Sequence, residues 1–306
     1  MIYSWSNHYF KSIKHKYLLI VMVAIFLAIH SGCGTLPPRE VHSGISLPRT
    51  ISYDTSPLGK SPQRFSVGFD IGRGAGSTDS GVVRGSTHFN VFGEARPFAP
   101  LTLGANLFWG YVDGKLDSNS NFGFRVYTRW RFAETHRWVF SLIPAYSLSQ
   151  NKTVEHGAYC AFFICSATSD TSSGEISANE GQLGLIAAHY FNDQNFMAIA
   201  PSIYLTRLRA TYSVSNKTIY SESRNNLNSA FLLGYGHHFG EESESRSGDT
   251  LFHISAGFAT FRGLGGSENS ARIEPLVQLG LQFGLGDRIA GIKMRKAGTQ
   301  EDESPQ

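Results

Sequence analysis

The sequence predicts an all-β chain that closes into an up-and-down antiparallel transmembrane β-barrel of about ten strands, with eight or twelve as the neighbouring even counts. Three observations predict it. After an N-terminal export segment, ten stretches alternate apolar and polar residues, the period of two that a strand between lipid and a polar interior requires. The connections between them are alternately long and short. The composition, with 32 Gly, 13 Tyr and 22 Phe, suits a thin, curved wall with aromatic girdles, and the continuous apolar runs of a helical membrane protein are missing beyond the export segment.

Residues 1–32 read as a signal peptide, because Lys11, Lys14 and Lys16 precede the apolar run from Tyr17 to Ile29 and no acidic residue comes before Glu40. The run is too short to span a membrane as a helix. The next residues, His30-Ser31-Gly32-Cys33, resemble the lipobox of bacterial lipoproteins, in which small residues precede a Cys that is lipidated and becomes the new N-terminus. An aliphatic residue is usual where His30 stands. The resemblance implies lipidation of Cys33 and, with Gly34 rather than Asp after it, sorting to the outer membrane. The alternative is an ordinary cleaved signal with an incidental Cys.

Residues 33–63 carry Pro37, Pro38, Pro48, Pro57 and Pro62 and read as an extended periplasmic linker of up to about 100 Å, at ~3.3 Å per residue, or as a plug folded into the lumen. Residues 64–286 form the barrel. Residues 287–306 turn basic and then acidic at Glu301-Asp302-Glu303, a polar periplasmic tail.

Strands are expected at about 64–74, 84–96, 101–112, 122–132, 138–149, 182–191, 196–212, 226–239, 250–261 and 273–285. In the clearest of them Phe122, Phe124, Val126, Trp130 and Phe132 share one face, with Arg125, Tyr127, Arg129 and Arg131 on the other. The same register puts Val67, Phe69, Ile71, Leu103, Leu107, Leu233, Ile254 and Leu279 toward lipid. Trp109, Tyr111, Trp130, Trp138 and Phe239 fall near strand ends, where girdles belong.

Connections 75–83, 113–121, 150–181, 213–225 and 262–272 are long and polar, whereas 97–100, 133–137 and 192–195 are tight and 240–249 is intermediate. Long connections face the outside and short ones the periplasm, which puts both chain ends in the periplasm of a Gram-negative cell. The pattern over residues 64–286 resembles bacterial outer-membrane β-barrel proteins in general. Those proteins often end on a strand with an aromatic last residue; here the candidate strand Val277 to Leu285 is followed by further chain.

The 24 acidic residues all follow the signal, and removing its three Lys from the 27 basic residues leaves a mature chain near neutrality, which disfavours a nucleic-acid partner. Outer-membrane lipids and lipopolysaccharide are the expected surroundings. If Cys33 is lipidated, Cys160 and Cys165 remain as a matched pair for an oxidising compartment, with two free loop thiols as the alternative. They lie in loop 150–181, around the apolar tip Ala158-Tyr-Cys-Ala-Phe-Phe-Ile-Cys165, which either packs over the bore or offers a contact surface to an extracellular partner.

Inward positions include Asp70, His88, Asn90, Glu94, Asn106, Arg125, Tyr127, Arg129, Arg131, Glu274, Gln278 and Gln282. Mixed charges in a narrow bore most simply pair with one another, so Asp70, Glu94, Arg125, Arg129, Arg131 and Glu274 are expected to form a structural network, or else a selective constriction. No cofactor is expected. The runs Gly72-Arg-Gly-Ala-Gly76 and Gly263-Leu-Gly-Gly266 do not have phosphate-loop spacing and read as turns, and a zinc site lacks further ligands near the two cysteines. The leading functional reading is a non-enzymatic barrel lipoprotein, structural or surface-interacting. A narrow channel for small solutes or ions is second, and a hydrolase at the outer rim third, because the histidines show no nucleophile and acid beside them in sequence.

Overall fold

The computed structural model describes Ile20 and residues 34–55, 62–161, 164–215, 217–239, 249–264 and 272–289. Cys33, the signal peptide other than Ile20, and tail residues 290–306 lie outside the described residues. Two short strands, β1 (Gly34–Leu36) and β2 (Gly44–Leu47), precede ten long ones: β3 (Gln63–Thr78), β4 (Val83–Phe98), β5 (Leu101–Val112), β6 (Ser120–Glu134), β7 (Trp138–Ala161), β8 (Ile164–Tyr190), β9 (Asn195–Val214), β10 (Lys217–Phe239), β11 (Thr250–Phe261) and β12 (Arg272–Arg288). Neighbours in sequence are neighbours in the sheet, and the β3–β12 and β7–β8 pairings join the ten long strands into a ring. The fold is thus the all-β, up-and-down barrel that the alternation predicts.

The pleat sets the two surfaces. Between β3 and β12, Ile71 stands opposite Leu279, Phe69 opposite Leu281 and Val67 opposite Phe283. These residues belong to an outward band with Leu103, Leu107, Trp109, Phe122, Phe124, Trp130 and Leu233, all exposed on the wall. An apolar surface this continuous is stable against hydrocarbon rather than water. Aromatic pairs edge it: Trp109 stacks on Phe122 with centroids 5.8 Å apart, and Trp138 stacks on Phe140 at 5.9 Å.

Three elements differ from expectation. The segment 150–181 is not a loop; β7 runs to Ala161 and β8 starts at Ile164, and most of 213–225 likewise belongs to β9 and β10. Neither face of these extensions needs to be apolar outside the hydrocarbon, so they carry no apolar alternation to read. The Gly72–Gly76 run lies inside β3 rather than in a turn. Its glycines make room: a Cβ on Gly72 would stand 2.5 Å from His88 Nε2, and one on Gly76 would stand 2.8 Å from the Ile45 carbonyl.

The chain divides into two compact units, one comprising residues 1–41, 153–174 and 212–220, the other 42–152, 175–211 and 221–306. In the smaller unit β1 pairs antiparallel with the end of β7, Gly34 opposite Cys160 and Leu36 opposite Ala158. Cys160 and Cys165 are joined by a disulfide. Ser215, with a φ of 46°, turns the chain there, and its N–H donates to the Thr171 carbonyl at 2.7 Å.

The larger unit holds the barrel interior. Toward the rim that carries the long connections, Ile45, Leu47, Ala75, Ile176, Leu208 and Phe261 pack together. Lower down, Ile51 and Tyr53 pack among Ile143, Ile186, Tyr190, Phe196, Tyr204 and Leu232. The inward side of β7–β10 thus carries most of this apolar cluster, with Glu180, Thr206 and Asn228 among its polar residues, while β3–β6 and β12 present mainly polar side chains inward.

Candidate functional site

Residues 43–55 lie within the ring of strands, and side chains from the wall hold their backbone. Beginning at the long-connection rim, the Ser43 N–H donates to Asp79 Oδ2 at 2.9 Å, and the Gly44 carbonyl accepts from Asn151 Nδ2 at 2.6 Å. β2 pairs with the end of β3, Ile45 opposite Ser77 and Leu47 opposite Ala75, where β12 no longer accompanies it. Asn121 accepts from the Ser46 N–H at 2.7 Å and donates to the Ser46 carbonyl at 3.2 Å. Gln278 repeats this exchange at Ile51, accepting at 3.1 Å and donating at 3.0 Å. A primary amide used this way replaces a neighbouring strand, which is how a buried segment without a full ladder keeps its polar groups paired.

Charges fix the same segment at three levels. Arg49, fully buried, forms an ion pair with Glu180, and its guanidinium lies 3.9 Å from the centre of the Tyr204 ring. Glu94 is the second centre: Oε1 accepts from Ser52 Oγ at 2.5 Å and Tyr127 OH at 2.8 Å, while Oε2 accepts from Ser66 Oγ at 2.9 Å, Gln282 Nε2 at 2.8 Å and Arg129 Nη2 at 3.0 Å. Arg129 also donates to the carbonyls of Ser52 at 3.1 Å and Tyr53 at 2.6 Å. At the short-turn rim Asp54 bridges Arg96, at 2.7 Å, and Arg131, which reaches Glu134 at 2.9 Å with its other nitrogen.

Of the six expected network residues, Glu94 and Arg129 pair directly, and Arg131 is linked to their neighbourhood by Asp54. Arg125 points inward but bonds to the Thr50 carbonyl at 2.9 Å and to Gln182. Asp70 accepts from Asn90 at 2.6 Å and shares with Arg125 a void of about 10 Å³, room for one water at most. Glu274, half-buried near the start of β12, has no ion-pair partner among the described residues.

The residues that complete the site were missed because they sit in the segment read first as a linker: Arg49, Thr50, Ser52, Tyr53 and Asp54. A signal was present in the alternation of Ile45-Ser46-Leu47 and Ile51-Ser52-Tyr53. Of the two readings of 33–63, a periplasmic linker or a plug in the lumen, residues 43–55 follow the second, with backbone groups of Ser46, Thr50, Ile51 and Tyr53 bonded to wall side chains. The expected periplasmic placement of both chain ends concerns residues outside the described ones. Arg288 meets Asp249 at the short-turn rim at 2.9 Å, whereas His42 lies at the opposite rim, its N–H donating to Asp117 Oδ2 at 2.8 Å.

One further pair emerges there. His42 Nδ1 stands 3.2 Å from Asp79 Oδ1 with the side chain part-exposed, an acid beside a histidine that the sequence separates by 37 residues. The buried His88 and His253 have no hydrogen-bond partner for either ring nitrogen among the described residues, and His253 packs on Tyr53 with centroids 5.2 Å apart.

No family model matches the chain, and no curated protein does. Among solved structures it is similar to the outer membrane protease OmpT from Escherichia coli at 7% identity and a TM-score of 0.38, covering 75% of this chain and 97% of that one. The translocator domain of the autotransporter NalP from Neisseria meningitidis gives 10% identity, a TM-score of 0.44, and coverage of 74% and 90%. The KdgM porin gives 10%, 0.26, 72% and 99%. The general resemblance is to outer-membrane β-barrel proteins. Identity and superposition this low carry nothing about activity, and the fold rests on the ring of strands itself.

Proposed function

We propose that the chain is a non-enzymatic barrel of the Gram-negative outer membrane whose bore is closed by its own N-terminal segment, with a structural or surface-interaction role. The observation that carries this reading is the Glu94 centre, where one carboxylate joins Ser52 of the segment to four wall side chains while Arg129 binds two of the segment's carbonyls. A solute path through that level would have to break a buried charge pair, and such a step is costly. Outer-membrane lipids and lipopolysaccharide surround the apolar band. The disulfide-joined hairpin end, with Leu36 and Tyr159 exposed in the same unit, is the surface offered to an extracellular partner.

Planar-bilayer recording on the purified full chain tests closure. No discrete steps are expected. Stable, reproducible steps would replace this reading with the narrow channel. A rim hydrolase is the second reading, favoured by the His42–Asp79 pair, which would leave Nε2 free to act as a base. Turnover of peptide or lipid-ester substrates that disappears in His42→Ala would establish it over the first.

A further inference from the structure

The segment inside the barrel has a direction. His42 and Ser43 are bonded to Asp117 and Asp79, in the connections after β5 and β3. Twelve residues on, Asp54 is bonded to Arg96 and Arg131, beside the tight turns after β4 and β6. β3 then starts at that same short-turn rim, where the Ile289 N–H donates to the Pro62 carbonyl at 2.8 Å. The chain thus runs from the long-connection rim to the short-turn rim inside the wall, and only then begins the wall.

In outer-membrane barrels the longer connections face outward. We infer that this protein is threaded from the cell surface inward, so that residues 34–41 of the mature chain lie outside the cell and an acyl group on Cys33 would be held in the outer leaflet rather than the periplasmic one. The inference rests on the outer-membrane reading above. Cys33 precedes His42 by nine residues, a reach of about 30 Å at ~3.3 Å per residue. That is no more than the hydrocarbon thickness, and the bore is occupied by the residues that follow. The smaller unit agrees independently, since Gly34–Leu36 adds as a strand to the end of β7 away from the tight turn 135–137, and Arg39 approaches Glu155 of β7 at 3.8 Å. A lipid carried on this end has to cross the membrane before or while the barrel closes around residues 43–55.

The test uses single cysteines in the full chain, labelled on intact cells with a membrane-impermeant maleimide. The unsubstituted chain serves as the blank. Glu40→Cys reports the N-terminal side, Lys115→Cys the connection after β5, and Asp193→Cys the turn after β8; all three positions are exposed. Glu40→Cys is expected to label to the same extent as Lys115→Cys on intact cells, with Asp193→Cys labelling only after permeabilisation. Protection of Glu40→Cys until permeabilisation, with Lys115→Cys labelled throughout, would overturn the inward threading and leave the barrel reading standing. Equal labelling of Lys115→Cys and Asp193→Cys on intact cells, or labelling of Asp193→Cys alone, would overturn the membrane topology itself and the inference with it.

Discussion

Glu94→Gln removes one charge from the interior while keeping the shape of the side chain, which makes it the sharpest perturbation of the site. Glu94 and Arg129 are 3.0 Å apart with side chains 2% exposed. Two unit charges about 4 Å apart attract by roughly 4 kcal/mol at an effective dielectric of about 20. Removing one member of a buried pair costs about 3–5 kcal/mol, because the other charge stays buried. The amide adds a conflict, since its NH₂ must face either Ser52 and Tyr127 or Ser66, Gln282 and Arg129, all of which donate to the carboxylate. Arg129 keeps its bonds to the Ser52 and Tyr53 carbonyls, which places the expected loss at the lower end, about 3 kcal/mol. Arg129→Met together with Glu94→Gln should lose less than the sum of the singles, by about 1–3 kcal/mol, as contacting residues do in a double-mutant cycle. Denaturant unfolding in detergent micelles, followed by tryptophan fluorescence and gel mobility of the folded form, measures each value. A loss below about 1 kcal/mol for Glu94→Gln, or strict additivity in the cycle, would refute the idea that this pair fastens the segment to the wall.

Three further outcomes follow from the register and the packing. Arg at Leu103 or Leu279, both outward, should cost about 2–4 kcal/mol near the bilayer midplane; inward, the void beside Asn106 is about 10 Å³, so overpacking should make Asn106→Arg destabilising too, and tolerance of all three would show the register wrong. Gly123→Val should displace the Phe108 ring, 1.9 Å from where a Cβ would stand, and lower the unfolding midpoint, whereas an unchanged midpoint would mean that this ring does not lie on the wall there. Cys160 and Cys165 should stay unreactive to maleimide until a reductant is added, and because they close a loop of separation only five, reduction should cost no more than about 2 kcal/mol; a reactive thiol before reduction would contradict the pairing.

The wall was legible because it is the part of the chain that solvent reads directly. Phe122, Phe124, Val126, Trp130 and Phe132 alternate with Arg125, Tyr127, Arg129 and Arg131 since lipid and interior reject each other's residues, and the structure puts the two sets on opposite faces. The signal fades on β8 and β9, where Leu185-Ile186 and Ile203-Tyr204-Leu205 are apolar on both faces. There the inward residues meet Ile51 and Tyr53 rather than water. It fails again where β7–β10 leave the hydrocarbon, and 150–181 reads as a loop although it is strand almost throughout.

For the inner segment the sequence left linker and plug undecided, and for a different reason: its partners are side chains distributed over the whole ring. Ile51 and Gln278 are 227 residues apart, and no local pattern records their exchange of hydrogen bonds. The inward register nevertheless contained a demand that the wall does not meet. Asn121, Asn151, Gln278, Arg125 and Arg129 all donate to carbonyls of residues 44–53. Of these donors, Arg129 has Glu94 of the wall on one terminal nitrogen and turns the other to the Ser52 and Tyr53 carbonyls, and among the described residues Arg125 reaches Thr50 and Gln182 by direct hydrogen bond, with no carboxylate bonded to it. A buried guanidinium carries five N–H groups and tolerates few unpaired ones. A bore lined by such donors therefore requires a source of carbonyl oxygens inside it, and a proline-bearing stretch just upstream of the first strand, with Ile45, Leu47, Ile51 and Tyr53 to bury, is the segment of this chain able to supply them.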